Sequence, residues 1–225
     1  NNKLDSINYS ARDLNEKVLI NVALARRNMV DSIYKQAMLE VVATTYSDTE
    51  NIVNGGKVMN MTSNDIAKVI NLKRAWEFIL NDGVISYPTN YAILCQINSI
   101  IEDGFSCVAG RLRSVSVTIG GSTYMPPMPI EQMIKDDLDK ILNLNNDVID
   151  VTIELLLYVM KKQLFLDGNK RTAVIIANHY LISHGEIIVV PAKLVSEYKK
   201  ILILYYEDRS DDIKLFLKNK CWINV

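Results

Sequence analysis

Apolar residues recur at helical spacing along most of this chain, in long stretches without glycine or proline. Side chains three to four positions apart lie on one face of an α-helix, so the pattern predicts a mainly helical protein. The predicted helices cover residues 10–43, 63–81, 89–103, 130–142, 147–163, 169–184, 191–206 and 209–218.

Residues 113–119 break this pattern, because polar and apolar side chains alternate there with a period of two before Gly120 and Gly121. Such alternation followed by paired glycines favours a β-hairpin. A lone hairpin is marginal in water, so we expect it to pack on the helices as a small flap. The pattern alone is equally consistent with a surface hairpin that has no role. The predicted fold class is therefore an all-α bundle with a small β-hairpin flap.

The length of 225 residues and the hydrophobic content of 49% allow one sizeable core, with room for a smaller helical layer. Turn-forming residues are concentrated between positions 44 and 61, where they disfavour a helix. We therefore predict an N-terminal helical extension over residues 1–60 and a main domain over residues 61–225.

A formal net charge of −1 provides no positive field of the kind that nucleic-acid-binding proteins use, so we expect no nucleic-acid partner. No apolar run approaches the ~20 residues that span a bilayer, and we expect no membrane insertion. Three scattered cysteines, Cys95, Cys107 and Cys221, show no disulfide or zinc spacing. These features favour a cytoplasmic protein, and the usage of Ile, Asn and Lys is typical of a bacterium or phage with an AT-rich genome.

A polar turn at residues 167–171 lies between two apolar helices. The backbone N–H groups at the start of the second helix have no intrahelical partner and bind anions, phosphates in particular. Gly168 allows close approach of a ligand, while Asn169, Lys170 and Arg171 add donors and positive charge. Asp167 fits a phosphate site only through a divalent cation, for which Mg²⁺ is the natural choice. Five residues alone are also consistent with an ordinary turn in which the two cations are solvated.

Residues 163–171 resemble the signature of the Fic/Doc family, His-x-Phe-x-(Asp/Glu)-(Gly/Ala)-Asn-(Gly/Lys)-Arg, and are compatible with it at eight of its nine positions. Residues 107–113 resemble the family's aromatic-x-Ala-Gly-x-Arg/Leu-Arg stretch, and residues 117–127 fall where its target-binding flap belongs. The resemblance covers roughly residues 60–190.

The resemblance implies a bundle of about eight helices that transfers AMP from Mg-ATP to a Ser, Thr or Tyr hydroxyl of another protein. It implies that Asp167 holds Mg²⁺, that Arg171 contacts the outer phosphates of ATP, and that Phe165 anchors the loop in the core. The residues that would line the anion nest are Gly168, Asn169 and Lys170. The flap residues that would hold the target by main-chain pairing are Thr118, Ile119, Gly120, Gly121, Ser122 and Thr123.

Gln163 stands where the family has its catalytic histidine. A glutamine amide donates and accepts hydrogen bonds but does not titrate near neutral pH. Loss of a general base costs about 10²- to 10⁴-fold in rate, so we expect impaired transfer. His179 and His184 are no obvious substitutes, because they lie two or more helical turns beyond the anion turn.

Glu50 is the candidate inhibitory residue. Residues 46–51 resemble the family's inhibitory pattern (Ser/Thr)-x-x-x-Glu-(Gly/Asn), with Tyr46 at the Ser/Thr position. The second arginine that usually receives this glutamate is replaced by Val174. Glu50 would therefore have to pair with Arg171, and a solvated loop carboxylate is an equal alternative.

Besides a slow adenylyltransferase, three other functions are consistent with the sequence. They are a nucleotide-sensing pseudoenzyme, a phosphotransferase like the Doc toxins, and a helical interaction module whose turn binds no nucleotide. The sequence leaves both a monomer and a homo-oligomer open.

Overall fold

The computed structural model describes residues 16–182, 184 and 186–224. Residues 10–15 of the first predicted helix lie outside this range. Eleven α-helices occur in the described part: α1 (16–27), α2 (Met29–Leu39), α3 (Tyr46–Val53), α4 (Ser63–Leu80), α5 (Asp82–Ile85), α6 (Tyr91–Ile101), α7 (Glu131–Leu142), α8 (Val148–Lys162), α9 (Asn169–Ile182), α10 (Val195–Tyr206) and α11 (Asp212–Lys220). A 3₁₀ turn at Ala192–Leu194 leads into α10.

The mainly helical fold class is confirmed, and several helices begin where a short polar side chain caps them. Thr62 accepts a hydrogen bond from the amide of Asp65 at the start of α4, and Asn90 does the same for Ile93 at the start of α6. Such caps satisfy amides that have no intrahelical acceptor. These caps explain why the predicted starts of α4 and α6 lie within a few residues of the observed ones.

Helix α9 is the centre of the fold. Nearly all its side chains are buried, as in a helix that is covered on every side. It packs against α4, α6, α8 and a short strand, β1 (Glu186–Ile188). Buried side chains of α1 and α2 belong to the same hydrophobic core as those of α8 and α9. The proposed boundary near residue 60 therefore does not separate two cores.

Helix α3 lies within residues 44–61, which the sequence predicts to be a break. The Thr45 side chain accepts a hydrogen bond from the Asp48 amide at 3.0 Å, and Thr49 and Ile52 are buried. The turn formers are effective only beyond this helix, where Gly55 adopts a positive φ of 79°. Burial against α2 and α4 thus outweighs the weak helix propensity of the segment.

The paired strands do not lie in the predicted hairpin. They are β1 and β2 (Trp222–Asn224), which are antiparallel with Ile187 opposite Ile223. Residues 114–129, here called the flap loop, are extended without strand pairing and turn where the Ser122 amide donates to the Ile119 carbonyl. Three prolines on the returning leg have no N–H to donate, which prevents a regular ladder there.

No helix of the described residues is long and apolar enough to cross a membrane. All three cysteines are free thiols.

Candidate anion-binding site

The loop between α8 and α9 is closed by one side chain. Helix α8 ends at Lys162, and the capping residue Gln163 has a φ of 47°, which lies in the left-handed region. Asn169, the first residue of α9, accepts a hydrogen bond from the Phe165 amide at 2.9 Å and donates to the Phe165 carbonyl at 2.9 Å. The Asn169 side chain also donates to Gln163 Oε1 at 3.2 Å. Phe165 is buried in the core, so the loop is held both by packing and by hydrogen bonds.

The side chain of Gln163 makes two hydrogen bonds within the protein. Its Nε2 atom donates to the Met160 carbonyl at 2.6 Å, and its Oε1 atom accepts from Asn169. The side chain thus joins the end of α8 to the start of α9. Both functional atoms already have partners, which leaves Gln163 poorly suited to accept a proton from an incoming hydroxyl.

The start of α9 leaves backbone amides free. The Thr172 amide donates to the Gly168 carbonyl at 2.9 Å, and the Gly168 amide donates to Asp167 Oδ1 at 2.7 Å. The amides between them, those of residues 169–171, have no acceptor among the described residues. Free amides at the positive end of a helix dipole are the donors that the predicted anion site requires, and anion binding there stays a prediction.

Arg171 is buried beside two carboxylates. Its Nη2 atom lies 2.9 Å from Glu102 Oε1 and 3.8 Å from Asp167 Oδ1. The contact between Arg171 Nη2 and Glu102 Oε1 does not have hydrogen-bond geometry, so Glu102 Oε1 has no hydrogen-bond partner among the described residues. Arg171 Nε is also buried without a hydrogen-bond partner there. Burial raises the pKa of Glu102, and the positive charge of Arg171 opposes that rise. An unsatisfied buried guanidinium N–H is costly and is an available donor for an anionic ligand.

These groups line a cavity of about 450 Å³, here called the arginine cavity. Lys68 contributes a second positive charge, while Glu102 and Asp167 contribute two negative charges. The Asp167 side chain is 77% exposed and can reach a ligand. Within the described residues no three His, Cys, Asp or Glu side chains form a metal cluster.

Gly168 is required by both conformation and space. Its φ of 73° is in the left-handed region, and a Cβ atom there would lie 2.6 Å from Glu102 Oε1. The glycine therefore lets the loop lie directly over the carboxylate of Glu102.

Arg113 joins the motif loop to the flap loop. Its backbone amide donates to the Leu164 carbonyl, and its Nε atom donates to the Gln163 carbonyl. The remaining guanidinium nitrogens donate to carbonyls on both legs of the flap loop, Val115 on one leg and Pro126 and Pro127 on the other. Burial lowers the pKa of Arg113. One arginine thus holds together two legs that have no ladder between them.

The tip of the flap loop is fixed by Glu207 at the end of α10. The Glu207 carboxylate accepts hydrogen bonds from the Thr123 amide at 3.1 Å and from the Ser122 hydroxyl at 3.3 Å. These bonds lower the pKa of Glu207. Gly121 lies against Ile203 of α10, so the predicted target-binding residues 118–123 are docked on this helix.

Two buried amides anchor the site from other helices. Asn98 of α6 donates to the Asp167 carbonyl at 3.0 Å and accepts from the Gly110 amide at 2.9 Å. Gln36 of α2 donates to the Arg171 carbonyl at 3.1 Å and accepts from the Trp76 indole. The sequence analysis missed Asn98, Glu102 and Gln36. Asn98 and Glu102 do leave a signal, because they are four residues apart on an apolar helix face.

Glu50 makes no ion pair with Arg171 among the described residues, and His179 has its own partners in the core. Glu50 is exposed on α3, and the described ion pairs of Arg171 go to Glu102 and Asp167 instead. His179 is buried, with Nδ1 2.7 Å from the Thr89 hydroxyl and Nε2 2.8 Å from the Val84 carbonyl. A carbonyl only accepts, so Nε2 carries the proton and Nδ1 accepts from Thr89. Burial lowers the pKa of His179, which is a satisfied core residue.

Comparison with solved structures identifies the same fold in several proteins. A Fic-domain-containing signaling protein from Bacteroides thetaiotaomicron is 19% identical with a TM-score of 0.69, over 85% of this chain and 79% of that chain. Fic-1 from C. elegans is 18% identical with a TM-score of 0.69, over 94% and 69%. A Fic family protein from Desulfovibrio desulfuricans is 16% identical with a TM-score of 0.71, over 92% and 70%.

A comparison with curated proteins finds no significant match. The model of the Fic/DOC family matches residues 88–181, a range that includes α6, the flap loop, α8 and nearly all of α9. The residues of the candidate anion site lie within that range, apart from the anchor Gln36 and from Lys68 of the arginine cavity. The chain therefore contains a Fic/DOC family domain at residues 88–181.

Proposed function

We propose that this chain binds a magnesium nucleotide at the start of α9 and transfers AMP from ATP to protein hydroxyls slowly. The observation that carries this proposal is the group of free amides at residues 169–171 beside Arg171, whose buried Nε has no hydrogen-bond partner. Oriented amides and a buried guanidinium together fit the oxygens of a phosphate chain.

The residues present fit Mg²⁺. Magnesium is commonly held by one or two carboxylates together with phosphate oxygens, and Asp167 offers an exposed carboxylate next to the free amides. Bound there, the ion would offset the negative charge of the phosphates. The protein's own part is to orient the phosphates through the helix start and to limit water access with the flap loop.

The proposal includes slow transfer because Gln163 cannot act as a base. A titratable side chain in its place should raise the rate by about 10²- to 10⁴-fold. The test is incubation of the wild type and Gln163→His with ATP labelled at the α-phosphate, with label in protein as the readout. Mass analysis of the product separates AMP transfer from Doc-like phosphate transfer.

A pseudoenzyme is the second candidate, favoured by the two hydrogen bonds that occupy the Gln163 side chain. It predicts that Gln163→His binds Mg-ATP and still labels no protein, which would refute the transferase. Either function requires nucleotide binding, so calorimetry with ATP comes first.

Asp167→Asn tests the metal role directly. We expect it to weaken ATP binding in the presence of Mg²⁺ and to leave metal-free ATP binding unchanged or stronger. Asp103→Asn is the matched control, because Asp103 is an exposed carboxylate just beyond α6 whose partner is Arg74. Equal effects of the two substitutions would refute the assignment of Asp167.

A further inference from the structure

The arginine cavity is also lined by a thiol, that of Cys107 just beyond α6. The three cysteines of the chain differ in access, because Cys107 is exposed, Cys95 is partly buried and Cys221 is buried. Burial raises the pKa of Cys95, and it raises the pKa of Cys221 to about 12, so both thiols stay protonated near neutral pH. Thiol–disulfide exchange needs an accessible thiolate. Cys107 is therefore the cysteine that a dissolved disulfide reaches most readily.

The side chains around this thiol include buried polar groups without partners. Arg171 is 5% exposed and Glu102 is 2% exposed, and Nε of the first and Oε1 of the second have no hydrogen-bond partner among the described residues. The Lys68 ammonium lies 5.9 Å from the centre of the Phe105 ring and makes no hydrogen bond or ion pair within the part of the chain that the structure describes. Unpartnered buried polar groups are unusual in a folded protein, and those in the wall of a cavity point to a polar ligand.

The charges of the cavity have both signs. Lys68 supplies a cation, and the Asp167 side chain, which is 77% exposed, supplies an anion. Arg171 supplies a second cation, whose contact with Glu102 lacks hydrogen-bond geometry. A ligand with two carboxylates and one ammonium complements the two cations and the exposed carboxylate. The volume of about 450 Å³ lies within the range of about 300–1,000 Å³ that holds small molecules, and it suits a short peptide.

From the thiol and these charges we propose that Cys107 is a modification site, at which the arginine cavity binds an acidic peptide disulfide of the glutathione type and forms a mixed disulfide with it. The Cys107 thiolate attacks one sulfur of the peptide disulfide, so that a new S–S bond forms and the old one breaks. The leaving peptide thiolate takes up the proton that Cys107 lost. The peptide disulfide is thus the oxidant, and an excess of free thiol reverses the step.

The adduct occupies the same cavity as the phosphates of the proposed function. Arg171 and Asp167 are then covered by the peptide, and Mg-ATP does not bind until the disulfide is reduced. This consequence rests on the proposed nucleotide binding, whereas the modification itself does not.

The test is reaction of the full chain with oxidised glutathione at about pH 8, close to the ordinary thiol pKa, followed by intact mass and peptide mapping. The neutral bis(2-hydroxyethyl) disulfide is the comparison, and each rate is divided by the rate at Cys107 in the urea-unfolded chain. We expect one glutathione per chain, at Cys107, with a higher relative rate than the neutral disulfide and no comparable adduct in Cys107→Ser.

A charge variant tests whether the cavity recognises the peptide. Lys68→Gln should slow the reaction with oxidised glutathione by about 3- to 10-fold, because one ion pair at a partly buried site contributes on that scale. The reaction with the neutral disulfide should not change. Lys73→Gln is the matched control, because Lys73 is a half-buried lysine of the same helix that does not line the cavity.

The outcomes separate the modification site from the proposed function. If Cys107 does not react with oxidised glutathione, or reacts with both disulfides at equal relative rates and equally in the two lysine variants, the modification site is refuted whether or not ATP binds. If the adduct forms selectively and the unmodified chain binds no ATP in calorimetry, the modification site stands and the nucleotide function is refuted. If the adduct binds Mg-ATP as tightly as the unmodified chain does, the competition between peptide and phosphates is refuted.

Discussion

Asn169→Ala is the substitution that most directly tests whether the closed motif loop is needed for ligand binding. The alanine removes three hydrogen bonds and leaves the buried Phe165 amide without an acceptor. Each bond contributes about 0.5–1.5 kcal/mol, so we expect a loss of about 2–4 kcal/mol in the free energy of unfolding. For a chain of this size that corresponds to a fall in Tm of about 4–16 °C.

Ligand affinity should fall as well, because the loop must then be ordered at the expense of binding energy. Every 1.4 kcal/mol of ordering corresponds to about tenfold in Kd, so we expect Mg-ATP binding to weaken at least tenfold. Urea unfolding gives the stability, and calorimetry well below the Tm of each variant gives the affinity.

Asn178→Ala is the matched control on the same helix. Asn178 also makes three hydrogen bonds, donating to the carbonyls of Val174 and Ile188 and accepting from the Ile188 amide. It lies about 13 Å further along α9, nine residues from Asn169. Both variants should lose similar stability, and only Asn169→Ala should lose affinity. Equal losses of affinity, or full affinity in Asn169→Ala, would show that the loop does not form the ligand site.

Three further predictions concern the surroundings of the loop. In urea titrations, Gly168→Ala should reduce the free energy of unfolding by about 1–2 kcal/mol more than Gly55→Ala does. Both glycines have a positive φ, but only a Cβ at position 168 would lie against Glu102. Equal losses in the two variants would contradict the steric reason. Arg113→Leu should increase hydrogen exchange of flap-loop amides more than tenfold, because the two legs lose their common donor; unchanged protection would contradict this role. Burial lowers the pKa of His179, so the imidazole binds a proton more tightly in the unfolded chain than in the folded one. The free energy of unfolding should therefore fall as the pH drops below about 6.5, by up to about 1.4 kcal/mol per pH unit, until the folded-state pKa is reached. His179→Gln should flatten this part of the pH profile, and an unchanged slope would contradict it.

The sequence alone determined most of the helices and the polar loop between α8 and α9. Residues 147–184 contain two apolar helices that meet at a polar turn, and the structure has α8 and α9 there, with free amides at residues 169–171. These features could be predicted because a helical period and a helix start are both local properties of the chain.

Only the tertiary structure determined which groups surround that loop. Glu102 reaches Arg171 from 69 positions away, and Glu207 binds the tip of the flap loop from the end of a helix beyond the motif. The alternation at residues 113–119 predicted paired strands. In the structure, the two legs of the flap loop are joined by Arg113, which donates to carbonyls on both, and the paired strands are β1 and β2. The local pattern of apolar residues predicts which face of a segment is buried. The partner of a buried charge depends on packing between segments that are distant in sequence, so the pattern does not predict it.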